Sequence, residues 1–175
     1  MGSLSNKYIN PQSALRDRLA RLRVVVSDGQ DFFLHQTRRS LTQLGVSDIH
    51  LARDGAEALG LVRTREPHLA IIDWGMPAIP GLEFTYFLRR AEGSPAPGLP
   101  IVMTMNALDK GRVSKALAAG VNEILIKPVT ADNLMKRVVA ALTGVRARIA
   151  SASYTGPDRR RADHPYLGDE RRVHL

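Results

Sequence analysis

Short apolar runs alternate with longer amphipathic segments through most of the 175-residue chain, and this alternation constrains its fold more than any other feature. The run RVVVS (23–27) is continuous and apolar, as expected of a strand that is buried on both faces. Further strands are predicted at DIHLA (48–52), LAIID (69–73), PIVMTM (100–105) and EILIK (123–127). Helices are predicted up to Gly45 and at DGAEALGLVRTR (54–65), GLEFTYFLRR (81–90), DKGRVSKALAAG (109–120) and ADNLMKRVVAAL (131–142). Five such β–α units predict an α/β fold with a doubly wound parallel sheet.

The carboxyl ends of the predicted strands are the first place to look for a functional site, because ligands of such sheets bind there. The polar residues at these ends are Ser27, Asp28, Asp73, Asn106 and Lys127. A strand-end aspartate and a strand-end lysine in one sheet seldom coincide by accident. We therefore expect chemistry at Asp73 and Lys127.

The composition makes several classes of protein unattractive. The chain has no cysteine, and its five histidines never fall at the spacing of metal ligands, so neither a disulfide framework nor a structural zinc site is expected. The N-terminus lacks the apolar run of a secretory signal, and no stretch approaches the roughly 18 apolar residues of a spanning helix. We expect a soluble, cytoplasmic protein without a membrane span.

The net charge of +8 is concentrated at the two ends of the chain. Residues 1–23 carry +4 and residues 145–175 carry +3, whereas residues 24–144 carry only +1. Basic ends on a nearly neutral core suggest contact with something anionic, such as a nucleotide, a nucleic acid or a membrane surface. The alternative is that these ends only keep the protein soluble.

Four motifs give the chain a family resemblance: VVVSD (24–28), ARDGAEAL (52–59), IIDWGMPAIPG (71–81) and IKPV (126–129). In this order and spacing they resemble the CheY-like receiver domain of bacterial response regulators. The resemblance implies a five-stranded, flavodoxin-like sheet of order 2-1-3-4-5 and a signalling module rather than an enzyme. It also implies three parts, namely a basic N-terminal extension (1–21), the receiver domain (22–144) and a flexible, Arg-rich C-terminal extension (145–175).

The resemblance also assigns roles at the predicted edge of the sheet. Asp73 would accept a phosphoryl group from a histidine kinase, and Lys127 would hold the product. Asp28, Asp73 and the Gly75 carbonyl would bind magnesium. A carboxylate that takes a phosphoryl group needs a metal to neutralise the phosphate oxygens and a cation beside the product. For Asp28 an alternative stays open, because this residue could instead cap the next helix.

Three positions depart from the family pattern. Ser27 stands where the family usually has a second acid, and a neutral hydroxyl is a weaker magnesium ligand, so the affinity for magnesium should be low. Met105, 22 residues before Lys127, stands where the family has a Thr or Ser that bonds the new phosphate. Thr104 is adjacent, but strand alternation is expected to point it to the other face. Ile124 replaces the aromatic residue that the family places on the last strand.

The C-terminal segment contains one phrase twice, Gly-x-acid-Arg-Arg at 156–160 and again at 168–172. An arginine can bond the O6/N7 edge of guanine, pair with phosphate or stack on a base, and a carboxylate can accept from the guanine N1 and N2 donors. Two copies suit a symmetric ligand with two guanines and two phosphates, such as cyclic di-GMP. The candidate ligand-binding residues are Asp158, Arg159, Arg160, Arg161, Asp169, Glu170, Arg171 and Arg172.

A receiver with a short Arg-rich extension also resembles the Cle-type CheY-like proteins of alphaproteobacteria. These bind cyclic di-GMP through the extension and act on the flagellar motor. Our first hypothesis is therefore a cyclic di-GMP-binding receiver that signals to a protein partner, such as the motor switch or a kinase. The second is an ordinary phosphoacceptor whose tail only solubilises it. Nucleic-acid binding is the least favoured, because the acids among the tail arginines would repel a polyphosphate.

Residues 11–23 (PQSALRDRLARLR) leave two alternatives open. They could form a basic amphipathic helix with Leu15, Leu19 and Leu22 on one side. A segment this short is marginal as a helix without support. We therefore expect a solvated extension that frays from the first strand.

Overall fold

Five parallel strands form the central sheet of the computed structural model, which describes residues 11–107, 109–144, 148–151 and 154–157. The strands are β1 Arg23–Ser27, β2 Asp48–Ala52, β3 Leu69–Asp73, β4 Ile101–Met105 and β5 Glu123–Ile126. They lie in the order β2-β1-β3-β4-β5, so the flavodoxin-like order that the resemblance implies is confirmed.

The described residues also form six helices: α1 Pro11–Ala20, α2 Asp31–Gln43, α3 Gly55–Arg65, α4 Gly81–Arg90, α5 Lys110–Ala119 and α6 Ala131–Thr143. Short polar residues begin three of them, because the side chains of Asp54, Asp109 and Thr130 each accept a hydrogen bond from a backbone N–H of the first turn. Helix α5 ends at Gly120, whose φ of 105° lies in the left-handed region that favours glycine. None of the helices described is long and apolar enough to cross a membrane.

The helices cover both faces of the sheet and divide the core into two. The first core contains Phe84 of α4 together with side chains of α3 and α5. The second core contains Leu34 of α2 together with side chains of α6. Within β4, Met103 and Met105 face the first core and Val102 faces the second, as strand alternation requires. Burial on both faces explains why the three central strands, β1, β3 and β4, read as continuous apolar runs.

Helix α1 corrects one expectation of the sequence analysis. The interpretation of residues 11–23 as a solvated extension is wrong, because α1 packs on the second core. Leu19 is only 2% exposed and belongs to the same cluster as Val138 of α6, with Leu15 and Leu22 packed beside it. A short helix gains most of its stability from burying such an apolar side, which the isolated segment could not do. Helix α1 is therefore part of the second core.

Beyond α6 the chain forms an antiparallel hairpin of β6 Arg148–Ser151 and β7 Tyr154–Pro157, which the sequence pattern does not predict. Cα atoms of β7 come within 8 Å of Cα atoms of α4. The hairpin therefore lies with β7 beside that helix. Residues 158–175, with all the predicted ligand-binding residues of this segment, lie outside the described part of the chain.

Candidate functional site

Asp28, Asp73 and Lys127 meet at the carboxyl edge of the sheet. Asp28 follows β1, Asp73 ends β3 and Lys127 follows β5, so the parallel strands deliver all three to one edge. The Lys127 Nζ atom lies 2.6 Å from Asp28 Oδ2 and 2.8 Å from Asp73 Oδ1. All three residues are buried. We call this group of three residues the acid pocket.

Both carboxylates of the acid pocket receive hydrogen bonds from the chain itself. Asp28 Oδ1 accepts from the Gln30 amide at 2.9 Å, and Asp73 Oδ2 accepts from the Gly75 amide at 2.8 Å. The other two oxygens contact the Lys127 ammonium. Each carboxylate oxygen therefore has a donor within the chain, which is what a buried charged group requires. The N–H of Gly75 thereby takes part in the site.

Asp28 is not the residue that caps α2. The N-cap of that helix is Gln30, whose side chain makes no capping hydrogen bond, and Asp28 accepts the amide of Gln30 instead. Burial raises the pKa of Asp28 above its ordinary value of 3.8, although the hydrogen bonds from Lys127 and Gln30 act in the opposite direction. The acid pocket therefore contains one carboxylate that is costly to keep ionised.

Phe33 of α2 covers the lysine of the acid pocket. Its ring centroid lies 4.2 Å from Lys127 Nζ, a distance at which an ammonium is attracted to the face of the ring. The ring thus adds to the attraction of the two carboxylates. Phe33 could not be identified from the sequence, because an apolar residue in an amphipathic helix carries no signal that separates it from an ordinary core residue.

Thr104 corrects the expectation about β4. Its Oγ1 atom lies 3.4 Å from Asp73 Oδ1, whereas Met105 is buried in the first core. The side chains of Thr104 and Met105 do lie on opposite faces of the sheet, as alternation requires. Asp73 lies on the same face as Thr104. The reason is register, because Thr104 is the partner of Asp73 in the pairing of β3 with β4 and paired residues share a face. The hydroxyl beside Asp73 is therefore that of Thr104, at the position next to Met105.

Ser27 is not oriented as a metal ligand. Its hydroxyl donates to the Asp54 carbonyl oxygen at 3.2 Å. The magnesium that the resemblance implies would be left with the Gly75 carbonyl and two carboxylates that both contact Lys127, although this hard cation prefers several carboxylate oxygens. No group of three or more His, Cys, Asp or Glu side chains in the described ranges is placed to hold a metal. The residues present do not fit a strong magnesium centre.

The loop after Asp73 is fixed by close contacts with the backbone. A Cβ at Gly81 would lie 2.3 Å from the Asp73 carbonyl oxygen, and a Cβ at Gly29 would lie 2.6 Å from Pro77 Cδ, so both positions require glycine. The Trp74 amide donates to the Thr104 carbonyl at 2.9 Å. The contact at Gly81 explains why the motif that carries Asp73 ends in glycine.

Comparisons with known proteins agree with this geometry. The sequence model of the response regulator receiver domain matches residues 24–139. The chain is 31% identical over 118 residues to a chemotaxis protein CheY homolog of Campylobacter jejuni, covering 67% of this chain and 89% of that protein. It is 36% identical over 122 residues to response regulator MprA of a Mycobacterium species, covering 69% of this chain and 50% of that protein. The solved structure of Vibrio cholerae CheY4 superposes with a TM-score of 0.63 at 25% identity, over 69% of this chain and 98% of that one.

Proposed function

Because this chain belongs to the response regulator receiver family of two-component signalling, we propose that it is a receiver that binds cyclic di-GMP through its Arg-rich C-terminal segment. Receiver domains interact with kinases and other protein partners, and the proposed partner here is a protein such as the flagellar motor switch. The receiver domain would extend over residues 22–144, with residues 145–175 as the nucleotide-binding extension. Residues 1–21 would precede the receiver, with α1 as part of its packing.

The observation that carries this proposal is the repeated phrase, Gly-x-acid-Arg-Arg, at 156–160 and 168–172. Each copy supplies arginines for the guanine edge or a phosphate and a carboxylate for the guanine N1 and N2 donors. Cyclic di-GMP presents two guanines and two phosphates, which matches the duplication. The acids within each copy favour a guanine nucleotide over a long polyphosphate, because they would repel additional phosphates.

Departures from the family pattern at and near the acid pocket also support this proposal. Ser27 adds no carboxylate to the acid pocket, although Thr104 does place a hydroxyl beside Asp73. Ile124 stands at the position of the family's aromatic residue. The acid beside Asp28 and the aromatic residue of the last strand are therefore both replaced, which favours another input to this receiver.

A calorimetric titration of the full chain with cyclic di-GMP tests the proposal, with GTP and cyclic di-AMP as comparison ligands. We expect saturable binding of cyclic di-GMP and much weaker binding of the adenine analogue, because the carboxylates and arginines recognise guanine edges. GTP carries more negative charge, so simple charge attraction would favour it. Equal binding of all three nucleotides, or no binding of cyclic di-GMP, would refute the proposal.

A second candidate is an ordinary phosphoacceptor, in which Asp73 takes a phosphoryl group from a histidine kinase and the tail only solubilises the protein. The contact between Lys127 and Asp73 at 2.8 Å favours it, because the ammonium is placed to hold a phosphorylated carboxylate. Acetyl phosphate with magnesium tests this candidate. We expect poor modification of the parent and better modification of Ser27→Asp, which restores the missing acid. Efficient and stable modification of the parent would favour this candidate over the first.

A further inference from the structure

We infer that a groove between α1 and α6 binds a small amphiphilic anion, that is, a molecule with one carboxylate or phosphate group and a short apolar chain. We call this cavity of about 370 Å³ the α1–α6 groove; its apolar sides are formed by Leu15, Leu22, Val139 and Leu142. The inference is independent of the proposed function, because none of the described residues that line the groove belongs to the acid pocket or to the C-terminal segment.

The α1–α6 groove lies at the opposite edge of the sheet from the acid pocket. Helix α1 leads into the amino end of β1, and His68, which also lines the groove, directly precedes β3. Helix α6 lines the groove with its last turn, which contains Leu142 and Thr143. The acid pocket lies at the carboxyl ends of the same parallel strands. A ligand can therefore occupy the groove without blocking the acid pocket.

Apolar side chains of both helices leave part of their surface to the groove. Leu15, Leu19 and Leu22 are three and four residues apart, so they lie on one side of α1 and its last turn. Leu19 is buried, whereas Leu15, Leu22, Val139 and Leu142 are only half-buried. The stretch from residue 15 to residue 22 spans about 11 Å at the rise of a helix. Sites for small molecules have volumes of about 300–1,000 Å³ and a mostly apolar lining, so the groove suits a short apolar chain.

Both charged residues among the described lining of the groove are arginines. Arg18 and Arg21 are exposed, and neither forms an ion pair with an acid of the described residues. Asp17, the one acid of α1, is not among the lining residues. A guanidinium group binds a carboxylate or a phosphate through charge-assisted hydrogen bonds. The charge of the groove is therefore complementary to an anionic head group at its mouth.

His68 adds a hydrogen-bond donor beside the two arginines. Its Nδ1 atom accepts from the Arg23 amide at 3.0 Å, and its own amide donates to the Arg23 carbonyl oxygen at 2.8 Å. The first of these bonds places the hydrogen of the neutral ring on Nε2. An Nε2–H group donates to an anion and offers no acceptor to an ammonium. The polar lining therefore favours a negative head group over a positive one.

Calorimetric titration of the full chain with octanoate tests the inference. Octanoate should bind more tightly than hexanoate by up to about 15-fold, because each buried methylene group strengthens binding about fourfold. Octanol and octyltrimethylammonium carry the same chain without the negative charge and should bind much more weakly. The inference is refuted if octanoate does not bind, or if the cationic analogue binds equally well.

Substitution of the arginines locates the head group. The double variant Arg18→Gln and Arg21→Gln should weaken octanoate binding roughly 3- to 30-fold, the range expected for the loss of two exposed ion pairs. The matched control is Arg16→Gln with Arg38→Gln, because both of these arginines are exposed and lie outside the lining. Equal losses in the two double variants would show that net charge, and not the groove, attracts the anion.

An acid placed in the groove tests the site of the apolar chain. Val139→Glu should abolish octanoate binding, whereas Ala140→Glu adds the same charge to α6 outside the lining and should leave it unchanged. Melting temperatures show whether both variants fold, and the exposed arginines supply the test if Val139→Glu does not. Binding of octanoate by a folded Val139→Glu variant as tight as that of the parent would refute the inference. Sedimentation with vesicles of phosphatidylcholine and phosphatidylglycerol, without binding of free octanoate, would also refute it, because this face would then contact a membrane surface.

Discussion

The acid pocket and the C-terminal segment handle charge in opposite ways. In the acid pocket, two carboxylates and one ammonium are buried together, and every carboxylate oxygen has a donor from the chain. The C-terminal segment, residues 145–175, carries seven arginines and four acids, a net charge of +3. The acid pocket has no excess of positive charge to attract an added negative group, whereas the segment has more arginines than acids. This difference in charge is why we propose that the anionic ligand binds the segment and not the acid pocket.

Substitution of Lys127 should have the largest effect on the stability of the buried charges in the acid pocket. Lys127→Met leaves Asp28 and Asp73 buried without their ammonium, and such a loss of one partner costs about 3–5 kcal/mol of unfolding free energy. Arg137→Met is the matched control, because its ion pair with Glu123 is exposed and should contribute only about 0–1 kcal/mol. Urea unfolding measures both. Equal stability of the two variants would show that Lys127 does not hold the acid pocket together.

The sequence could predict the sheet and the acid pocket because both depend on simple rules. Each strand is rich in apolar residues and has a polar residue at or just after its carboxyl end, and the ends of parallel strands share one edge of the sheet. Asp28, Asp73 and Lys127 therefore had to lie close together once the strands were correctly placed. No knowledge of side-chain packing was needed for this step.

Thr104 and Leu19 show what a single sequence could not predict. Alternation gives the relative direction of Thr104 and Met105, but the absolute face depends on the register between β3 and β4. The burial of Leu19 depends on the surface that α6 offers, which is a property of the folded protein. The segment 11–23 in isolation predicts only a marginal helix. Both errors concern contacts between elements that are distant in sequence.

Substitution of single arginines tests how the C-terminal segment binds its proposed ligand. Arg160→Ala or Arg172→Ala should weaken cyclic di-GMP binding roughly 5- to 150-fold, because a good bidentate pair contributes about 1–3 kcal/mol. Arg160→Lys and Arg172→Lys should also weaken it, since lysine cannot form the bidentate pair. Arg146→Ala removes an arginine of the same segment outside both copies of the phrase and serves as the control. Titration calorimetry measures all five variants.

If the lysine variants bind as the parent does, the segment attracts its ligand by charge alone. The comparison would then reduce to a difference in net charge between two regions, and the repeated phrase would have no special role. Equal losses for Arg146→Ala and Arg160→Ala would lead to the same conclusion.

Thr104 allows a finer test within the acid pocket. Thr104→Val removes the hydroxyl beside Asp73 and should cost at most about 0.5–1.5 kcal/mol of unfolding free energy, at the low end because the contact is long. It should also change the rate at which acetyl phosphate modifies Asp73 in a Ser27→Asp background. Thr85→Val is the control, because Thr85 is equally buried but donates to Gly81 within α4. A similar change of rate in both variants would show that the Thr104 hydroxyl has no direct effect on Asp73.

The smallest expected effect concerns the ionisation of Asp28. Because burial raises its pKa above 3.8, the folded state binds a proton here more tightly than the unfolded chain does. Stability therefore falls as the pH rises from that value through the folded pKa, and the cost of the ionised carboxylate is fully present above it. Asp28→Asn cannot ionise, so it should be more stable than the parent at about pH 7, with a difference that shrinks towards about pH 3.5. Urea midpoints in a pH series, measured without magnesium, test this. A difference that grows on acidification would mean that the ion pair with Lys127 outweighs burial, so that the acid pocket gains stability from Asp28 as a charge.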